Sequence, residues 1–416
     1  MSVKLQQPIT HGGLQNTNFF NGRLITGADM TREQAARREA VSRLGESVGE
    51  GITEGLRVEI VSHDEKNPLV AVTAGRAVNR CGQVLGLYED TKVNLIERIG
   101  TVEQESTVFT RCPMSATTGT YAAGFGLYLL VLSPIFTRQG SAPTGGLKNS
   151  FAACSSDVIL EAVQFRLLPV DPFLSNETVP DSHLLRNYVA YKCFGTPHTQ
   201  DFYQNPLGYS LKSYGLLDEM RGKTLSENDV PLAVVSWTAA GLDFIDMWAV
   251  RRRLTKKDDS GDWTQLFSDR RLSETEAMIQ QFAEQIADEQ PEKNDFQDIE
   301  AVDYFYYLPP VGMLPLATSA SPAGFNLEGF FGKNRLEDLA MIDGEQLQPL
   351  LREALTHEPI EADSFEKIRV YIIKENFLAA QDGHIKQVTA VFAKRSLPFY
   401  GTARFELAGW DSSRFV

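Results

Sequence analysis

The apolar and polar positions near the start of the chain follow a helical pattern. Val41, Leu44 and Val48 recur at intervals of three and four residues within a strongly charged stretch, which predicts a helix from about Ala28 to Val48. The other faces of this helix carry mostly charged side chains. Its apolar stripe is too narrow for deep burial, so we expect the helix to lie on the surface.

From Leu56 onward the pattern changes to short β-branched runs separated by Gly, Asn and Asp, which predicts strands. Residues 125–136 are almost continuously apolar, as in a central strand. Residues 157–170 alternate, with Ile159, Val163, Phe165 and Leu167 predicted on one face.

Residues 230–254 have the pattern of a β-hairpin that turns at Ala240-Gly241 and carries Trp237 and Trp248 on its two arms. Beyond it, Ser273 and Glu276 have capping-box spacing, so they predict the start of a helix that ends before Pro291.

The last third has a different composition. Aromatic residues surround Pro309-Pro310, which favours an extended backbone. A second phenylalanine pair, Phe330-Phe331, precedes a stretch that we interpret as two helices, and residues 367–376 and 387–396 resemble a pair of strands. The predicted fold class is α+β and multidomain. Its predicted parts are an N-terminal arm and charged helix (1–55), a β-rich domain (56–270), a helix and acidic linker (271–303) and a smaller α+β C-terminal module (304–416).

The charge balance argues against two classes of general binding partner. The chain of 416 residues has 40 Lys and Arg against 54 Asp and Glu, a net charge of −14. Such a surface repels nucleic acid and anionic lipid. The short basic run Arg251-Arg252-Arg253 is interpreted as a solvated strand end. No signal peptide is evident and residues 125–136 are too short to span a bilayer, so we expect a cytoplasmic protein, or one carried in a particle released without a signal peptide.

Motifs for catalysis or cofactor binding are missing from the sequence. The cysteines form no CxxC pair, and His183, Cys193 and His198 have no common metal-site spacing. Asp243 and Asp246 are three residues apart on a predicted strand, so their side chains point to opposite faces and cannot cooperate. We therefore expect no enzyme activity, no cofactor and no metal site. A hydrolase whose carboxylates come from distant segments is the weakest hypothesis.

The feature that stands out is the pair Phe19-Phe20, directly before the turn dipeptide Asn21-Gly22. One interpretation is a hydrophobic staple, in which an aromatic ring packs back on the first turns of the helix. The other is an interface, because aromatic residues dominate the centres of protein–protein contacts. We hold the two readings about equal here and favour the staple for Phe330-Phe331. The predicted interface residues are Phe19, Phe20, Asn21, Gly22, Arg23 and Leu24.

Several segments resemble a family of uncharacterised proteins whose N-terminal pattern begins FFNGRLLT. These proteins accompany phage-tail-like baseplate proteins in gene clusters for contractile injection systems. The resemblance implies a structural assembly component at or near a baseplate, with tail or baseplate proteins and copies of itself as partners, and it brings no catalytic residues. The similar segments are FFNGRLITGADMTREQAARREAVSRL (19–44), GEGITEGLRVEI (49–60), residues 230–254, residues 304–316 and residues 330–360.

An alternative function is recognition of a target, such as a glycan or a cell surface, by a domain that the particle carries. Residues 102–120 and the Gly/Ser-rich residues 137–156 are predicted to be long loops, which in compact domains tend to be functional. They would form the binding site.

Overall fold

The structure is a computed structural model, and it confirms the α+β, multidomain fold class. It describes residues 10–64, 68–95, 125–140, 157–174, 182–207, 215–256, 269–288, 299–317 and 324–398. In that part of the chain, no helix has both the length and the apolar character needed to cross a membrane.

The predicted N-terminal helix is confirmed as α1 (Gly27–Val48). Two small antiparallel sheets follow it, with strand orders β1-β4-β5 and β2-β3-β6. Their strands are β1 (Gly51–Gly55), β2 (Val58–Ser62), β3 (Leu69–Val72), β4 (Gly75–Val78), β5 (Val84–Leu87) and β6 (Thr91–Asn94).

A four-stranded antiparallel sheet with the order β10-β9-β7-β8 forms the middle of the molecule. Alternate residues of β7 enter two different cores. Leu130 and Leu132 pack with the small sheets, whereas Leu129 and Val131 pack with the helices. The elements are β7 (Gly126–Gln139), β8 (Val158–Pro169), α2 (Asp171–Leu174), α3 (Ser182–Cys193), α4 (Thr196–Gln204), α5 (Leu216–Met220), β9 (Val230–Thr238) and β10 (Gly241–Asp246).

The C-terminal part contains a second four-stranded sheet with the order β12-β16-β15-β13. The predicted strand pair is confirmed as antiparallel β15 and β16, and β13 is parallel to β15. The elements are α6 (Asp269–Asp288), α7 (Ala301–Tyr304), β11 (Tyr307–Leu308), β12 (Val311–Leu316), α8 (Leu327–Phe331), β13 (Leu336–Ile342), α9 (Gly344–Ala354), β14 (Ile360–Glu361), β15 (Ile368–Ile373), α10 (Lys374–Gln381) and β16 (Val388–Lys394).

Helix α6 joins the two large cores. Met278 belongs to the core between the middle sheet and its helices, and Phe282, one turn later, belongs to an aromatic core on one face of the C-terminal sheet. The other face of that sheet packs with α9 through Leu350 and Tyr371. A single helix therefore contributes apolar side chains to both parts of the molecule.

Two helix predictions are wrong. Residues 336–342 form strand β13, since pairing with β15 outweighs the helical preference of this stretch. Ser273 is buried inside α6 and is not its cap, because the helix begins four residues earlier at Asp269. That early turn is held by ion pairs of Arg270 with Asp218 and of Arg271 with Glu358, which sequence spacing does not reveal.

Three details of the predicted strands also differ. Ile159 is exposed although Val163, Phe165 and Leu167 pack on the core, because the β7–β8 hairpin extends past the elements that cover it. The hairpin pairs as far as Gln139, so the loop predicted from residue 137 begins later. The hairpin turn at Ala240-Gly241 is confirmed, but β10 ends at Asp246 and Trp248 lies in the turn after it.

The arginine run is only partly the predicted solvated strand end. Arg253 is exposed and pairs with Glu276 at 3.2 Å, whereas Arg251 and Arg252 bond to the backbone of the fold. Arg251 donates hydrogen bonds to the carbonyls of Gly55 and Leu56 at 2.7 and 2.9 Å. Arg252 donates to main-chain carbonyls, including that of Ala249 at 2.9 Å, and its guanidinium lies 4.7 Å from the ring centre of Phe194. These side chains therefore satisfy loop carbonyls inside the fold.

Candidate assembly surface

Helix α1 begins with a capping box formed by Thr26 and Asp29. The Thr26 hydroxyl accepts a hydrogen bond from the Asp29 amide at 3.2 Å, and the Asp29 carboxylate accepts one from the Thr26 amide at 3.0 Å. The Thr26 hydroxyl also donates to that carboxylate at 2.7 Å. These contacts fix the angle at which residues 10–26, the arm, join the helix.

Asp29 also holds the arm against the first turn of α1. Arg23 donates to its carboxylate and, at 2.7 Å, to the carbonyl of Asn18. The Thr17 hydroxyl donates to the Asp29 carbonyl at 3.0 Å. Hydrogen bonds from Thr26, and then from Arg23, lower the pKa of the Asp29 carboxyl to about 2, so it is ionised at neutral pH. The arm is therefore anchored by polar groups.

The predicted interface residues comprise exposed apolar side chains and the residues of the turn beside them. Phe19 is 52% exposed, Phe20 63% and Leu24 88%, and none of the three belongs to the buried core. Asn21 and Gly22 form the turn, which is closed by a hydrogen bond from the Arg23 amide to the Phe20 carbonyl at 3.2 Å. The Arg23 guanidinium lies 5.9 Å from the ring centre of Phe20. Neither ring is packed down as a hydrophobic staple requires.

Helix α1 exposes its apolar stripe as well. Val41, Leu44 and Val48, which defined the helix in the sequence, are all exposed, as are Met30 at the start of the helix and Ile25 in the arm. Asp29 and Ala36 are the helix residues that are buried. We call the exposed large apolar residues of the arm and of α1 the N-terminal surface: Leu14, Phe19, Phe20, Leu24, Ile25, Met30, Val41, Leu44 and Val48.

Helix α1 attaches to the rest of the molecule through its backbone and through charged side chains. At Gly45 it approaches the β4–β5 turn so closely that a Cβ there would lie 2.0 Å from the carbonyl oxygen of Gly82. Arg38 forms an ion pair with Glu161 at 3.2 Å on the β7–β8 hairpin and lies over the ring of Phe136. This attachment leaves the apolar stripe uncovered by the described chain.

Glu50, two residues after α1, joins a partly buried network of charges. It accepts hydrogen bonds from Arg80 at 2.8 Å and from Arg221 at 3.2 Å. Asp218 forms ion pairs with Arg270 at 2.9 Å and with Arg80 at 3.4 Å. Burial alone raises the pKa of the Asp218 carboxyl, but Arg270 and Arg80 outweigh it and hold that pKa below its usual value.

These charges surround a small cavity of about 60 Å³. The network ties the end of α1 to the β4–β5 turn, to α5 and to α6. Its members come from distant segments and share no spacing signal, so the sequence pattern does not reveal it.

The residues considered for catalysis and metal binding have different surroundings within the described part of the chain. No group of three or more His, Cys, Asp and Glu among them is arranged to hold a metal ion. Asp243 is exposed, whereas Asp246 is buried and receives hydrogen bonds from the Ala249 amide at 2.9 Å and Gln281 at 3.0 Å. Burial raises the pKa of the Cys193 thiol to about 12, so this cysteine is not a nucleophile at neutral pH.

The segments proposed for target recognition fall largely outside the described residues. This applies to all of residues 102–120 and to residues 141–156 of the second predicted loop. The acidic residues Asp258, Asp259 and Asp262 are also outside them.

No protein-family model and no curated protein matches the sequence. Among solved structures, one titled "Crystal structure of TssK" aligns over 67% of this chain and 52% of that one, with 8% identity and a TM-score of 0.27. The chain thus spans about half the length of that protein. A TM-score this low does not define a shared fold.

Proposed function

We propose that this protein is a non-enzymatic structural component of a phage-tail-like contractile injection particle, in or next to the baseplate. Its partners are other tail or baseplate proteins and copies of itself. It docks on them through the N-terminal surface. The proposal has two supports, which are the sequence resemblance at residues 19–60 and in later segments, and the geometry of the arm.

The proposal rests mainly on one observation. The backbone of the arm is held in place, and yet the rings of Phe19 and Phe20 are exposed. Polar contacts of Asp29 hold the arm in place, while Phe19 and Phe20 remain more than half exposed. Burying a side chain of this size contributes about 1.5–3 kcal/mol. Because the arm is already ordered, little further conformational entropy is lost when the rings are buried by a partner.

The test is recovery of a tagged copy from the native host, with mass spectrometry of the proteins that accompany it. Sheath, tube and baseplate proteins should accompany the wild-type chain. The double variant Phe19→Ala with Phe20→Ala should lose them while it folds normally. Phe365→Ala is the matched control, because Phe365 is 96% exposed in the C-terminal part. Recovery of the wild-type protein alone would contradict the proposal.

A further inference from the structure

Helix α1 carries a row of exposed side chains with the spacing of a coiled coil. The positions follow one another at intervals of four, three, four, three and four residues, which is the a and d repeat of a heptad. At 1.5 Å per residue this row is about 27 Å long. We call it the α1 seam, and its members are Met30, Gln34, Arg37, Val41, Leu44 and Val48.

The α1 seam lies between the two sides by which the helix is attached. At about 100° per residue, the buried Asp29 and Ala36 lie about 100° or more to one side of the seam. Gly45, which approaches the β4–β5 turn, lies about 60° to the other side. The open sector between Asp29 and Gly45 is therefore about 160°, which exceeds the roughly 100° that a helix face needs for packing.

The α1 seam is apolar at four positions, each half exposed or more, and charged at one, Arg37. The other arginines of α1 have carboxylate partners, in the pairs Arg32–Asp29, Arg38–Glu161 and Arg43–Glu39. Arg37 has no ion pair with any residue that the structure describes. Covering an arginine without giving it a carboxylate is costly, so a partner that buries the seam should supply one.

A second copy of α1 does not meet this requirement when the whole seam overlaps. In a parallel pair in register, Arg37 faces Arg37 of the other copy. In an antiparallel pair it faces Val41, and Glu33, the carboxylate nearest the seam, lies about 12 Å away along the helix axis. A shift of seven residues brings Glu33 within reach but leaves Leu44 and Val48 uncovered.

We propose that α1 binds an amphipathic helix of a different protein as a two-stranded coiled coil, and that an Asp or Glu of that helix faces Arg37. The inference rests on the function proposed above and specifies the chemistry of one partner that docks on the N-terminal surface. Apolar residues of the partner cover the seam over about five turns. The single charged pair fixes the register of the two helices, as one polar position does in other coiled coils.

Photo-crosslinking in the native host tests this on the full chain. A benzophenone amino acid takes the place of Val41, and mass spectrometry identifies the peptide attached to it. The peptide should come from another protein, with apolar residues at heptad spacing and an Asp or Glu level with Arg37. The matched control places the same amino acid at Glu46, which is exposed on the opposite side of α1 and should not attach to that peptide. Attachment to a second copy, attachment to a peptide without this pattern, or no attachment at position 41 would overturn the proposal.

Two variants test the charged pair. Arg37→Leu makes the seam more apolar, and Arg37→Glu reverses its charge. Both should lower the crosslinking yield from position 41 about tenfold or more, because the partner's carboxylate loses its cation. An unchanged or higher yield for Arg37→Leu would show that no carboxylate faces this position. Arg37 is exposed and has no ion pair in the described chain, so both variants should keep the thermal unfolding temperature of the wild type.

The recovery experiment on the tagged wild-type chain separates this inference from the proposed function. Recovery of baseplate proteins together with a failed crosslink at position 41 would reject the coiled coil and leave the assembly role intact. Recovery of the wild-type chain alone would reject both.

Discussion

The two phenylalanine pairs have similar local sequences and opposite environments. Phe19-Phe20 is followed by Asn21-Gly22, and Phe330-Phe331 is followed by Gly332. The first pair is 52% and 63% exposed, whereas the second is 2% and 3% exposed. The second pair is buried, but it ends helix α8 and strand β13 follows it, so it is not the predicted staple at the start of a helix.

The difference lies in what surrounds each pair. Phe330 packs with its ring centre 5.1 Å from that of Phe325, and Phe331 lies 5.1 Å from Phe392 of β16. These partners come from elsewhere in the C-terminal part. The arm that carries Phe19 is instead held by hydrogen bonds to Asp29 and has no apolar element over it within the described chain. Long-range packing therefore decides whether such a pair becomes core or surface.

The largest loss of folding stability is expected when the buried pair, Phe330-Phe331, is changed. Phe330→Ala removes a ring from the aromatic core and should lower the free energy of unfolding by about 3–5 kcal/mol. Chemical denaturation followed by intrinsic fluorescence measures this. A loss below about 1 kcal/mol would mean that the cluster relaxes around the missing ring and that the two pairs differ less than their exposure indicates.

The next largest loss of folding stability is expected from a change at Gly45, where α1 packs on the β4–β5 turn. In an exposed helix, Gly→Ala usually stabilises by about 1 kcal/mol. Gly45→Ala should instead destabilise by about 1–3 kcal/mol, because the new Cβ would meet the backbone of Gly82. The control is Gly27→Ala in the first turn of the same helix, where a Cβ meets no atom within 4 Å. Stabilisation of the Gly45 variant would show that α1 does not pack on the β4–β5 turn.

Folding stability should depend on pH through Glu284 of α6, the helix whose Phe282 packs in the aromatic core. Burial, and then the charge of Asp246, raise the pKa of Glu284 from 4.5 to about 7. A raised pKa means that the stability contributed by this carboxyl is present below pH 4.5 and is lost as the pH rises through about 7.

Glu284→Gln should therefore gain stability relative to the wild type between pH 5 and pH 8. The gain should be about 1 kcal/mol, since the side chain is one-third exposed and solvent screens its interactions. Denaturation midpoints of both proteins at the two pH values provide the measurement. The same difference between them at pH 5 and at pH 8 would contradict the assigned shift.

The smallest effect on stability is expected for the exposed pair. Phe19→Ala with Phe20→Ala should change the free energy of unfolding by less than about 0.5 kcal/mol, as for other surface substitutions. The same denaturation experiment compares it directly with Phe330→Ala. A loss similar to that of the buried pair would assign Phe19 and Phe20 to the core and remove the main support for the docking arm.

The local features of this protein follow from short stretches of sequence. The helix at residues 27–48 and the β9–β10 hairpin were predicted because their signals lie within a few residues of one another. The exposed stripe at Val41 and Leu44 follows from the narrow apolar face of a charged helix. Turn chemistry, capping and periodicity act locally, so the sequence is sufficient to determine them.

Only the tertiary structure decided the features that depend on distant partners. Residues 336–342 became a strand because β15 pairs with them, and α6 starts early because Asp218 and Glu358 bind its first turn. The charge network of Glu50 also depends on distant partners. So does the difference in exposure between Phe19-Phe20 and Phe330-Phe331. Burial and ion pairing are set by which segments meet in space, and one-dimensional patterns do not contain that information.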